Sequence, residues 1–86
     1  MRILYLSLYK IYFDQILFNQ KKIEYRNKSP YWTKRFSSKY DIIHFTNGYG
    51  NNRPAFDCEL KNISFNSQTQ KFELELGNIL QTYNLY

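Results

Sequence analysis

The sequence predicts a small α+β fold: a partly open β-barrel of about five to six mostly antiparallel strands, with two short helices over its ends. Three observations carry this expectation. Helical spacing of apolar residues is confined to the first half of the chain. The second half alternates apolar and polar residues with a period of two, and glycine, asparagine and proline separate the runs. Third, 20% of the 86 residues are aromatic, which suits a short chain that buries only somewhat over ~60% of its unfolded surface and needs large side chains in its core. The whole chain, residues 1–86, reads as one domain without repeats or linkers.

Arg2 to Ser7 is a run of branched and aromatic residues and reads as a buried strand. From Tyr9 to Gln20 the residues Tyr9, Tyr12, Phe13, Ile16 and Leu17 follow the spacing of an amphipathic helix. Lys22 to Asn27 resumes a two-residue period, so that Lys22, Glu24 and Arg26 share one side and Ile23 and Tyr25 point into a core. Ser29-Pro30 marks a turn, after which Tyr31 to Ser38 forms a short helix with Trp32 and Phe36 on one side.

Asp41 to Thr46 is a strand with Ile43 and Phe45 inward and the lone histidine, His44, on the side of Thr46. It runs into the loop Asn47 to Pro54, where glycines and asparagines permit positive φ and let backbone amides approach a ligand. Ala55 to Phe65 alternates Phe56, Cys58 and Leu60 against Asp57, Glu59 and Lys61, and Phe72 to Leu76 does the same beyond a polar turn at Asn66 to Gln70. Asn78 to Tyr86 is a last strand or short helix, with Ile79, Leu80 and Tyr83 closing the core.

The formal charge is +5, and its distribution is uneven. Residues 1 to 40 hold nine Lys/Arg against Asp14 and Glu24, a net +7, and the remainder is −2. Tyrosines and the tryptophan lie among the basic residues, a combination that fits phosphate neutralisation and base stacking; a solvated basic face is the alternative. Cys58 is the only cysteine, which excludes an internal disulfide and a thiolate-type structural zinc; it reads as a small core residue. No apolar run approaches ~18 residues and no signal-peptide pattern opens the chain, so the expectation is a cytoplasmic protein without a membrane partner. The AT-rich residue usage suits a bacterium or a phage, whose product would act in the host cytoplasm.

Asn19 to Arg26, NQKKIEYR, concentrates charge between the first helix and the next strand. Glu24 beside Lys21 and Arg26 is a candidate weak base or water-orienting group, and Lys21 a candidate proton donor or clamp on an oxyanion. Both are the catalytic candidates of the chain. Arg26 offers a planar fork for phosphate or for Glu24 itself. An ion-pair network that pins the strand to its neighbour is the structural alternative. Lys22 and Arg35 are candidates for phosphate. Trp32 is a candidate for base stacking, with core burial the stronger reading in so small a chain. Asn47, Tyr49 and Arg53 are candidates for ligand contact from the loop, since an amide side chain both donates to and accepts from a base edge. His44 lacks partners for a metal site, and no cofactor or metal is expected.

These residues resemble a known family. NQKKIEYR is similar to the Gly-x-Lys-x-x-Glu-x-Arg signature of ASCH domains of the PUA-like superfamily, with Lys21, Glu24 and Arg26 matching and Asn19 in place of the glycine. Asparagine also tolerates the left-handed conformation after a helix. Tyr31, Trp32 and Arg35 match a Tyr-Trp-x-x-Arg segment of small bacterial and phage members. Phe45, Asn47, Gly48, Tyr49, Gly50 and Pro54 match a Phe-x-Asn-Gly-Tyr-Gly segment, and FELELGNIL is similar to their last strand.

The resemblance implies a PUA-like barrel with a cleft that binds RNA or a modified nucleoside. It also implies an alternative, a small hydrolase acting on a modified nucleobase, as in an N4-acetylcytidine amidohydrolase, or on RNA as a ribonuclease. In the amidohydrolase group a threonine stands where this chain has Glu24, so that mechanism does not transfer directly. A third reading from the aromatic and basic surface is a phage-encoded protein that binds and regulates or inhibits a host protein.

Overall fold

The first strand, β1 (Ile3–Leu8), alternates as its sequence predicts: Leu4, Leu6 and Leu8 are buried. In the computed structural model, which describes residues 1–85, it is followed by α1 (Lys10–Leu17), β2 (Ile23–Asn27), α2 (Pro30–Arg35), β3 (Ile42–Asn47), β4 (Ala55–Asn66) and β5 (Lys71–Tyr83). Tyr86, included in the expected last element, lies outside the described residues.

The five strands form one curled mixed sheet, a half-barrel, in the order β1-β3-β4-β5-β2. β1 pairs with β3 in parallel, and the other three pairings are antiparallel. The parallel pair follows from chain direction, because β1 and β3 are separated by α1, β2 and α2 rather than by a hairpin.

The segments on either side of Gly77, read as two elements in the sequence, are one strand, β5. Opposite it β4 shifts register between Asp57 and Asn62, and such bulges bend a sheet and increase its twist. Glu59 folds onto this irregularity, its Oε1 accepting from the Asn78 amide at 2.8 Å. A Cβ on Gly77 would stand 2.9 Å from the Cβ of Glu59, so only glycine fits there.

α1 is shorter than the periodic segment that predicts it. Its Phe13 and Ile16 are buried, while Tyr9, at its N-cap, and Tyr12 stay exposed. Phe13 meets Phe56 at 4.8 Å between ring centroids, and Phe56 meets Phe45 at 5.3 Å. Each such ring contributes about 1.5–3 kcal/mol by burial. α2 starts at Ser29, whose Oγ accepts from the Trp32 amide at 3.1 Å, with Pro30 in the first turn where a missing N–H costs nothing. Trp32 stacks on Phe36 (5.1 Å, 17°), and Phe36 meets Phe72 edge-on at 5.0 Å, which fastens the helix to β5.

The expected facing of β2 is corrected. Glu24 is 5% exposed and points to the concave side, whereas Tyr25, expected in the core, is 46% exposed. Charge pairing decides this: on the concave side the carboxylate meets two cations and lies opposite buried Leu74, while the tyrosine ring tolerates water at its hydroxyl. Of the three residues expected to close the core, Ile79 packs against it, but Leu80 is exposed and Tyr83 turns to Asp57.

Candidate functional site

The end of α1 sets the site. Asn19 adopts φ 64°, and the amides of Gln20 and Lys21 both donate to the Gln15 carbonyl, at 2.7 and 3.1 Å. This tight exit, which asparagine supports as glycine would, returns the chain so that the Lys22 carbonyl accepts from the Leu76 amide at 2.9 Å and β2 pairs with β5. Lys21 is thereby left beside the helix it has just followed. Its Nζ is 4.9 Å from the Tyr12 ring centroid and 5.8 Å from that of Tyr25.

Glu24 is the hub. Lys21 Nζ donates to its Oε1 at 2.9 Å, and Arg26 Nη2 stands 3.1 Å from its Oε2. Both carboxylate oxygens are therefore engaged by cations. The same Arg26 nitrogen donates to the Ser7 carbonyl of β1 at 3.0 Å, and the guanidinium lies 5.2 Å from the Trp32 ring centroid. Among the described residues Arg26 Nε is buried without a hydrogen-bond partner, and the guanidinium makes the cation–π contact instead. A fork with several donors on one plane can hold two acceptors and an aromatic face at once, which lysine cannot.

Around this hub opens a cleft of about 730 Å³, within the ~300–1,000 Å³ range of small-molecule sites. One wall is Tyr9 and Tyr12 with Lys21; another is Tyr25, Arg26 and Asn27, with Lys71 across the strand pairing; Trp32 contributes from α2. The far side is Ser7 and Leu8 with Gly48 and Tyr49 of the loop. That loop carries Gly48 at φ 77° and Gly50 at φ 113°, as its composition predicts. The Gly48 amide donates to the Leu8 carbonyl at 2.9 Å, joining the loop to the end of β1.

Of the sequence-predicted residues, the structure brings Lys21, Glu24, Arg26, Trp32 and Tyr49 to this cleft and places the others elsewhere. Lys22 is exposed and borders a separate, smaller depression near Asn19 and Gly77. Arg35, expected on the side of Trp32, donates instead to the Tyr31 hydroxyl at 3.0 Å. Asn47 is buried at the root of the loop, and Arg53 Nε donates to its carbonyl at 2.7 Å. Asn47 and Arg53 thus hold the loop's shape. Trp32 packs against the core, the stronger of its two expected readings, and also lines the cleft.

Sequence reasoning missed Ser7, Leu8, Tyr9, Tyr12, Tyr25, Asn27, Gly48 and Lys71 as lining residues. The spacing of Tyr9, Tyr12 and Tyr25 points to the core instead. Lys71 becomes adjacent only through its register with Asn27, a pairing between residues far apart in the chain.

Outside the cleft, His44 Nδ1 lies 2.6 Å from Asp57 Oδ1, and the Tyr83 hydroxyl donates to Asp57 Oδ2 at 2.7 Å. That bond, which favours the neutral phenol, raises the pKa of Tyr83 above its ordinary value. Burial pushes the Cys58 thiol up to about 11, which makes it an unreactive core residue at neutral pH. Among the described residues no cluster of three metal-ligating side chains occurs, and no helix is long and apolar enough to cross a membrane. In comparisons with known proteins, no family model, no curated protein and no solved structure matches this chain.

Proposed function

We propose that the cleft binds a segment of RNA or a modified nucleoside, in the manner of a PUA-like ASCH domain. The observation that carries this reading is the combination of four tyrosines and a tryptophan with three cations around one buried carboxylate. Aromatic rings offer stacking surfaces to a base, and a cationic floor accepts its phosphate or polar edge. The resemblance of NQKKIEYR to the ASCH signature agrees with this position, since the three matching residues, Lys21, Glu24 and Arg26, all line the cleft.

The hydrolase reading keeps one observation in its favour, the 2.9 Å contact between Lys21 and Glu24. Binding is the better supported of the two. Both Glu24 oxygens are engaged in one ion-pair cluster with Lys21 and Arg26, and position 24 offers no hydroxyl nucleophile.

Trp32 is the only tryptophan, so its fluorescence reports on the cleft. Short single-stranded RNAs and a nucleoside panel containing N4-acetylcytidine are titrated against it at several salt concentrations. The reading predicts saturable change, weakening for RNA as salt rises, with N4-acetylcytidine recovered intact. Release of acetate would favour the hydrolase, and absence of any response, confirmed by calorimetry, would overturn the proposal.

A further inference from the structure

The depression bordered by Lys22 has a volume of about 290 Å³, just below the ~300–1,000 Å³ range of small-molecule sites and sized for part of a ligand. Its lining joins the apolar side chains of Ile16, Leu76 and Ile79 to Asn19, Lys22 and Asn78, and no carboxylate is in it. It shares Lys21 with the cleft, so the two openings adjoin at that side chain. They also lie on one face of the sheet. The Lys22 carbonyl accepts from the Leu76 amide, continuing the pairing that sets Glu24 opposite Leu74, and both leucines are buried in the core. Residues directly opposite in an antiparallel pair share a face, so Lys22 stands on the side of Glu24 and Arg26. The polar side chains of the depression are unused: among the described residues, those of Asn19, Lys22 and Asn78 make no hydrogen bond or ion pair. Glycine would serve the turn at φ 64° as well as Asn19 does, but only asparagine adds an amide there. Lys21 gives one of its three N–H donors to Glu24 and keeps two.

Resting on the nucleic-acid reading above, we infer that the ligand spans both openings and is a single-stranded oligonucleotide of at least two nucleotides, not a lone nucleoside. One base lies against the aromatic rings of the cleft, the phosphodiester between the nucleotides passes the Lys21 ammonium, and the flanking nucleotide enters the depression. There the amides of Asn19 and Asn78, each both donor and acceptor, meet the edge of the flanking base, and Ile16, Leu76 and Ile79 give it apolar contact. Lys22 adds a charged donor to the same nucleotide. A lone nucleoside fills the cleft and leaves these groups unused.

The test is calorimetry with the four ribonucleosides, their 5′- and 3′-monophosphate methyl esters, the dinucleoside monophosphates and a short single-stranded RNA. The methyl esters carry the charge of a phosphodiester without a second nucleoside, so they separate the pull of the phosphate from occupation of the depression. The best dinucleoside monophosphate is expected to bind about tenfold or more tightly than the matching methyl ester. Asn19→Gly/Asn78→Ala, which removes both amides and no charge, should abolish most of that advantage and leave nucleoside and methyl-ester affinity unchanged. Lys22→Ala should weaken the dinucleotide in the same direction. Asn19, Lys22 and Asn78 are exposed, glycine keeps the turn, and the Asn78 amide that donates to Glu59 is backbone, so the variants retain the fold, which circular dichroism checks. Equal affinity for dinucleotide and methyl ester would overturn the inference and leave the nucleic-acid reading standing. Undiminished binding of the dinucleotide, or of the short RNA, by the double variant would do the same. Failure of nucleosides, dinucleotides and single-stranded RNA alike would remove both.

Discussion

Arg26 joins the two free edges of the sheet, its Nη2 donating to the Ser7 carbonyl at 3.0 Å across the gap between β2 and β1. The half-barrel is thus closed by a side chain where a hydrogen-bonded strand pair would otherwise be needed, and the space beneath that link is the cleft. The same nitrogen holds Glu24, so the closure and the charge cluster depend on each other.

Replacing Glu24 tests that dependence. Glu24→Gln keeps the shape but removes the negative charge from between Lys21 and Arg26, leaving two cations to repel each other in a mostly buried place. The expected loss is about 2–4 kcal/mol of stability, measured by urea unfolding. Arg26→Lys should cost less, about 1–2 kcal/mol, because an ammonium can keep Glu24 or Ser7 but not both with the indole contact.

Gly77→Ala is expected to destabilise the protein by about 1–3 kcal/mol, since the added methyl meets Glu59 at 2.9 Å and the Asn78 amide loses its acceptor if Glu59 moves. Glu59→Gly in the same background should recover part of the loss, because it removes the Cβ that the added methyl meets. A thermal melt of the four proteins in that cycle decides it; additivity of the two changes would argue against the clash.

Alkaline pH should weaken the fold through Cys58. Its pKa is raised by burial from 9.0 to about 11, so the folded state holds its proton where the unfolded state has lost it. A raised pKa gives stability that is complete below about pH 9 and declines as pH climbs toward about 11, with a slope of at most ~1.4 kcal/mol per pH unit from this one group. Tyr83, raised by its bond to Asp57, acts in the same direction at higher pH. Unfolding free energies measured across that range should fall less steeply in Cys58→Ala than in wild type.

Much of the fold was legible because local pattern and burial agree. The alternation of Leu4, Leu6 and Leu8, of Ile43 and Phe45, and of Phe56 and Cys58 reads directly as inward-facing strand positions. The glycine-rich loop and the left-handed Asn19 were legible from backbone chemistry. Two things were not. Glu24 and Tyr25 exchange their expected faces because a buried charge is tolerated only with partners, and those partners, Lys21 and Arg26, converge only after the chain turns at Asn19. Lys71 joins the site through strand register, and Arg35 leaves it because the Tyr31 hydroxyl one turn earlier takes its guanidinium. The site was therefore readable where it is local and hidden where it depends on pairing.

The central claim is that the Glu24-centred cleft is the ligand site, and amide and indole chemical-shift mapping with a short single-stranded RNA tests it most directly. The account predicts that shifts concentrate on Lys21, Tyr25, Arg26, Asn27 and Gly48 together with the Trp32 indole, and that they vanish in Lys21→Ala/Lys71→Ala. Shifts centred instead on the opposite face, around His44, Asp57 and Tyr83, or no shifts at millimolar RNA, would contradict it.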